Sequence, residues 1–97
     1  MELEVATLKQ ELTQVTCQEV AGTKFFDGML EQTSVVVVQC GVGKVNAAMC
    51  VQILHDLFEV THVINTGVAG GLNDKLDIGD ILISNAALQH DMNVEPL

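Results

Sequence analysis

Arginine, tryptophan and tyrosine are absent from this 97-residue chain, which has one proline, three phenylalanines and four lysines. A groove that tracks nucleic-acid phosphates needs clustered Lys and Arg. Lys9, Lys24, Lys44 and Lys75 are scattered, so nucleic acid is set aside as a partner. Without arginine there is also no bidentate fork to grip phosphate. The three cysteines, Cys17, Cys40 and Cys50, are odd in number and none is in Cys-x-x-Cys spacing. That usage predicts reduced, buried thiols and a cytoplasmic setting. The purest apolar run, residues 35–38, is far too short to span a bilayer, so no membrane partner is expected. His55, His62 and His90 share no metal-ligand spacing, and neither a metal nor another cofactor is called for.

What is present is a globular composition, 48% hydrophobic with a net charge of −9. The acidity reads as solubility. The length allows one small domain, and its core is not generous. So apolar a short chain is expected to bury part of its surface against another, most simply as a homodimer.

The stretch from Val63 to Leu72 opens as a strand and turns into small residues, Gly67, Ala69, Gly70 and Gly71. Glycines after a buried strand let main-chain groups approach a flat ligand at the carboxyl end of a sheet. The plain alternative is a tight turn. Residues 1–12 read as a helix with Met1, Val5, Leu8 and Leu12 on one stripe. Glu4 falls on or beside that stripe and is a candidate for proton transfer, the alternative being an ordinary acid in a first helical turn.

Strands are predicted near residues 14–20 and 24–30 as a hairpin pair. A central strand at residues 35–40, buried on both faces, follows a turn at 31–34. Gly41-Val42-Gly43-Lys44 opens an amphipathic helix over 44–58, with Ala47, Cys50, Val51, Leu54, Leu57 and Phe58 on its apolar face. It is not a phosphate loop, because Val45 stands where Ser or Thr would be, and the G-x-G-x-x-G of a dehydrogenase is also missing. Residues 80–87 read as another strand. His90 beside Asp91 suggests an acid–base pair or metal ligands, although neighbours in extended chain point to opposite faces. The order is α/β, with a strand–helix–strand crossover over residues 35–65. That crossover places the glycine turns at Gly41 and Gly67 on one edge of the sheet, which points to a small-ligand pocket.

Five blocks, in order, resemble a known family. They are Met1-Glu2-Leu3-Glu4-Val5, Cys40-Gly41-Val42-Gly43-Lys44-Val45-Asn46-Ala47-Ala48, Asn65-Thr66-Gly67-Val68-Ala69-Gly70-Gly71, Ile78-Gly79-Asp80-Ile81 and His90-Asp91. Together they resemble the 5′-methylthioadenosine/S-adenosylhomocysteine nucleosidases of the purine nucleoside phosphorylase superfamily. The resemblance implies a three-layer α/β/α fold around a central mixed sheet. It implies hydrolysis of the N-glycosidic bond of an adenine nucleoside. The glutamate matching Glu4 activates water in that family. Met1 and Val42 match positions lining the ribose and alkylthio end, and Val68, Ala69 and Gly70 match the loop beside the nucleoside. Phosphorolytic relatives hold phosphate with Arg, and this chain has Asn65-Thr66 where one would stand, so water is the expected nucleophile. The family has a strand before the Met-Glu segment and continues well past the His-Asp segment. That later part carries the acid for the leaving group, a ribose-binding Met-Glu pair and an aromatic that stacks on adenine. Residues 1–97 therefore match a partial domain, and half of an active site. The alternative implied is a truncated, non-catalytic module of the same fold that binds nucleosides or dimerises.

Overall fold

The computed structural model describes residues 2–95. Its elements in order are α1 (Glu2–Glu11), β1 (Thr13–Val20), β2 (Thr23–Leu30), β3 (Thr33–Val38) and α2 (Lys44–Phe58). Ala21 and Gly22 both take left-handed backbone, with φ of 52° and 76°. A two-residue turn of that kind matches the twist of the strands it joins, and Val20 pairs with Thr23 across it. A second short turn starts at Glu31, φ 57°, and closes on the Leu30–Thr33 pair.

These two turns decide the sheet. Each pairs sequence neighbours antiparallel, so the order is β1-β2-β3 with β2 in the middle. The expectation that residues 35–40 form the central strand is therefore corrected. β3 is an edge strand among the described residues, and Val35 to Val38 are only half-buried. The sheet they complete is antiparallel rather than mixed. In β1 one extra residue is accommodated between the Thr13–Met29 and Thr16–Asp27 pairs. Gln14, φ 54°, sits in that bulge.

Side chains alternate along β2, and its two phenylalanines leave on opposite faces. Phe25 is fully buried and forms the core with Cys50 and Leu54 of α2, flanked by Val36, Val38, Ile53 and Phe58. Its ring stacks on Phe58 at 5.3 Å and 24°. Burying such a ring contributes about 1.5–3 kcal/mol, and the stacking adds ~0.5–1.5 kcal/mol. Phe26, on the other face, lies under Lys9 of α1, whose ammonium is 4.8 Å from the ring centroid.

The helices keep most of their expected faces. In α1, Val5 and Leu8 are half-buried and the stripe ends on buried Leu12. Met1 lies outside the described residues. In α2, Cys50 and Leu54 are buried one turn apart, but Val51 and Leu57 are exposed and Ile53 packs on the core in their place. Three strands are too narrow a platform for the whole apolar stripe. The cysteine expectation is corrected in part, since Cys17 is exposed and only Cys50 is buried.

After α2, Glu59 adopts a left-handed cap and the Val60 N–H bonds Leu54 O at 3.5 Å. Residues 60–95 then run as turns and irregular chain. The expected strands at 62–64 and 80–87 are not formed, and with them the crossover over residues 35–65 is left open. The reason is pairing: a strand exists through the ladder its neighbour supplies. No described strand lies along the outer edge of β3. Local turns do form where the sequence asks for them. The Asn73 carboxamide oxygen accepts from the Lys75 N–H at 2.8 Å, and Asp80 N–H bonds Asp77 O at 3.1 Å. Gly79, φ 97°, supplies the left-handed position of the second turn.

Candidate functional site

Glu4, Val42 and the loop around Gly67 meet at one open cleft of about 1050 Å³. That is at the upper end of ligand-sized cavities, roughly 300–1000 Å³. α1 contributes Glu4 and Val5 to it, the chain leaving β3 contributes residues 38–42, and residues 64–71 form the facing wall. The turn ending at Asp80 closes one side.

The first corner is a turn whose backbone strongly favours glycine. Gly41 and Gly43 have φ of 86° and 96°. A Cβ on Gly41 would lie 3.2 Å from Asn46 Nδ2, and that same nitrogen donates to Val42 O at 2.8 Å. Asn46, in the first turn of α2, therefore braces the corner while Val42 lines the cleft. Gly43 gives α2 no side-chain cap.

The second corner is set by α1. Glu4 is half-buried, and its Oε1 lies 3.5 Å from where a Cβ on Gly67 would stand. The carboxylate is thus turned toward the glycine loop. Val68, Ala69 and Gly70 follow Gly67 along the same wall. Of the residues singled out from sequence, Glu4, Val42, Val68, Ala69 and Gly70 come together, and Met1 is outside the described residues.

One contact was not foreseen. Lys44 Nζ donates to both carboxylate oxygens of Asp91, at 2.6 and 2.8 Å. A cation in the first turn of a helix faces the positive end of the helix dipole, and Asp91 offsets it. The pair ties the Gly41–Gly43 turn to the His90-Asp91 segment across 47 residues. Asp91 thus engages Lys44, and the adjacency of His90 has no part in it. No spacing rule relates the two positions, although both lie in blocks singled out from sequence. Both side chains are more than half exposed, so the pair is worth ~0–1 kcal/mol.

A family model described as the phosphorylase superfamily matches residues 1–96. The chain belongs to that superfamily. Among its relatives, the 5′-methylthioadenosine/S-adenosylhomocysteine nucleosidase of Colwellia psychrerythraea is 47% identical over 94 residues, 97% of this chain and 39% of that protein. The Oceanobacillus iheyensis nucleosidase is 46% identical over 93 residues, 96% of this chain and 41% of that one. The chain thus spans about two-fifths of the length of these relatives. A crystal structure of the Colwellia nucleosidase in complex with adenine superposes with a TM-score of 0.81 and 50% identity, covering 82% of this chain and 33% of that one. The Streptococcus pneumoniae nucleosidase with a transition-state inhibitor gives 0.79 and 41%, covering 82% and 35%. Both overlays take in more of this superfamily member than Glu2–Phe58 contains, so they run into the irregular segment after α2.

Two further features lie near the cleft. Burial, and behind it the neighbouring Cys40 thiol, push the Cys50 thiol above its ordinary range. A second hollow of about 390 Å³ opens between α1 and the sheet, where Lys9, Lys24 and Phe26 line it. Among the described residues, none of those singled out for chemistry lines it.

Proposed function

We propose that this chain supplies the water-activating half of a nucleosidase site that hydrolyses the N-glycosidic bond of 5′-methylthioadenosine or S-adenosylhomocysteine. Glu4 takes a proton from water as the water oxygen bonds C1′ of the ribose. The C1′–N9 bond breaks with its electron pair going to adenine, which leaves protonated at N7 by an acid outside residues 1–97. The transition state has oxocarbenium character, so a base on one side of the sugar and an acid beyond the purine divide the work. Val42 lines the apolar recess for the ribose and alkylthio end, together with Met1, and Val68, Ala69 and Gly70 lie beside the nucleoside. The observation that carries this reading is the Glu4 carboxylate held against Gly67 in the cleft that Val42 also lines.

The reading extends to a three-layer α/β/α domain with a mixed sheet, of which residues 1–97 are a part, and to a cytoplasmic homodimer. The layered fold rests on helices contacting side chains that leave opposite faces of β2, and the cytoplasmic homodimer on the cysteine usage and the apolar composition. A second reading is a module of the same fold that binds nucleosides or dimerises without hydrolysing them. The test places residues 1–97 in the Colwellia nucleosidase in exchange for the matching stretch and follows adenine release from methylthioadenosine. Glu4→Gln should lower kcat by about 10²–10⁴-fold with folding intact. Unchanged turnover removes Glu4 from the mechanism, and a chimaera that binds adenine but never turns over supports the module.

A further inference from the structure

Val42 stands between two glycines of positive φ, 86° at Gly41 and 96° at Gly43. Glycine backbone is permissive, so the local sequence does not by itself hold such a turn in one place. The side chain carried there is 87% exposed and lines the cleft that also holds Glu4 and Gly67. Two bonds from α2 shape the turn: Asn46 Nδ2 donates to Val42 O at 2.8 Å, and the Ala47 N–H to Gly43 O at 3.1 Å. Both come from the helix that the turn itself opens. They fix its form, and not its place against the far wall of the cleft.

A restraint from outside that helix is Asp91, whose two carboxylate oxygens accept from Lys44 Nζ at 2.6 and 2.8 Å. Lys44 is the first residue of α2, directly after Gly43. α2 has no acidic residue in its first turn and no side-chain cap. The ammonium therefore faces the positive end of the helix dipole, and the distant carboxylate supplies the compensating charge. Charge-assisted bonds of this length are the stronger and more directional kind. Neither Lys44 nor Asp91 lines the cleft, so their effect on a bound ligand must pass through Val42. We propose that Lys44 and Asp91 are positioning residues, a strap from the His90-Asp91 segment that sets where Val42 meets a bound nucleoside. The identity of that nucleoside rests on the nucleosidase reading, in which Val42 meets the alkyl–sulfur substituent at C5′.

The experiment compares Lys44→Met, Asp91→Asn and the exchanged pair, Lys44→Asp with Asp91→Lys. Amide exchange at residues 41–44 is read in the 97-residue protein, and kinetics in the chimaera that carries residues 1–97 in the Colwellia nucleosidase. Each single variant should speed exchange at 41–44 about 2–5-fold, the range open to an exposed pair. In the chimaera each should raise KM for methylthioadenosine about 2–5-fold with kcat within about twofold, because binding and not proton transfer is disturbed. The inhibition constant of adenine, which lacks the ribose and the sulfur, should not move. The exchanged pair should return exchange and KM toward the parent. The proposal is overturned if the single variants leave exchange at 41–44 unchanged, if adenine weakens as much as methylthioadenosine, or if the exchanged pair is no better than either single variant. Turnover retained in Glu4→Gln refutes the role of Glu4 and leaves the strap standing. In a chimaera that never turns over, the dissociation constant of methylthioadenosine takes the place of KM, so a failure of the catalytic reading and a failure of the strap are told apart.

Discussion

Replacing Gly28 by alanine should unsettle the sheet far more than its place in a strand suggests. Gly28 is buried in β2, the middle strand. A Cβ there would lie 2.9 Å from the carbonyl oxygen of Thr13 and 3.5 Å from Leu12 Cβ and Val15 Cα. The obstructing atom is backbone at the junction of α1 and the β1 bulge, so it cannot rotate away. Relief requires about half an ångström of main-chain movement, and overpacking of this kind costs about 1–3 kcal/mol. Against it stands the ~0.4–1 kcal/mol that alanine usually gains by narrowing the unfolded ensemble. The net loss is therefore about 1–2 kcal/mol. In a domain of this size each kcal/mol moves Tm by about 4–8 °C, so Gly28→Ala should melt roughly 5–15 °C lower by far-UV circular dichroism. Gly70→Ala is the control, because nothing lies within 4 Å of its added Cβ, and it should stay within about 0.5 kcal/mol of the parent. If Gly28→Ala melts at or above the parent while Gly70→Ala is neutral, the close approach of Thr13 does not constrain β2 and the reasoning fails.

Three further outcomes follow from the cleft and the core. Asn46→Ala removes the 2.8 Å bond to Val42 O and should cost about 0.5–1.5 kcal/mol, with faster amide exchange confined to residues 41–44; an unchanged exchange pattern there would mean that Asn46 does not brace the corner. Iodoacetamide near pH 8 should modify exposed Cys17 first and Cys50 last, since burial raises the Cys50 thiol and keeps it protonated. The sign for stability follows: the folded state holds the Cys50 proton more tightly than the unfolded one, so stability falls as pH rises through the ordinary thiol range toward the raised value. A denaturation series from pH 7 to 10 should lose that slope in Cys50→Ala.

Much of the molecule is written locally in the chain. The apolar repeat at three and four residues set α2 at 44–58, and the structure has it at Lys44–Phe58. The glycines at 41 and 43 marked a strand-to-helix turn, and both have positive φ. The hairpin at 21–22 was readable from neighbouring residues, because turns and helix faces depend on side chains a few positions apart, and the superfamily from the resemblance of five blocks between Met1 and Asp91.

Only the tertiary structure decided which strand is central, why Gly28 must be small, that Lys44 meets Asp91, and that Glu4 reaches Gly67. Each depends on residues brought together from distant positions, and a run such as Val35 to Val38 reads the same at a sheet's edge as at its centre. The aliphatic runs at 62–64 and 81–83 make the point most plainly. Their composition specifies a strand, but a strand forms only where another backbone lies alongside to complete its hydrogen bonds.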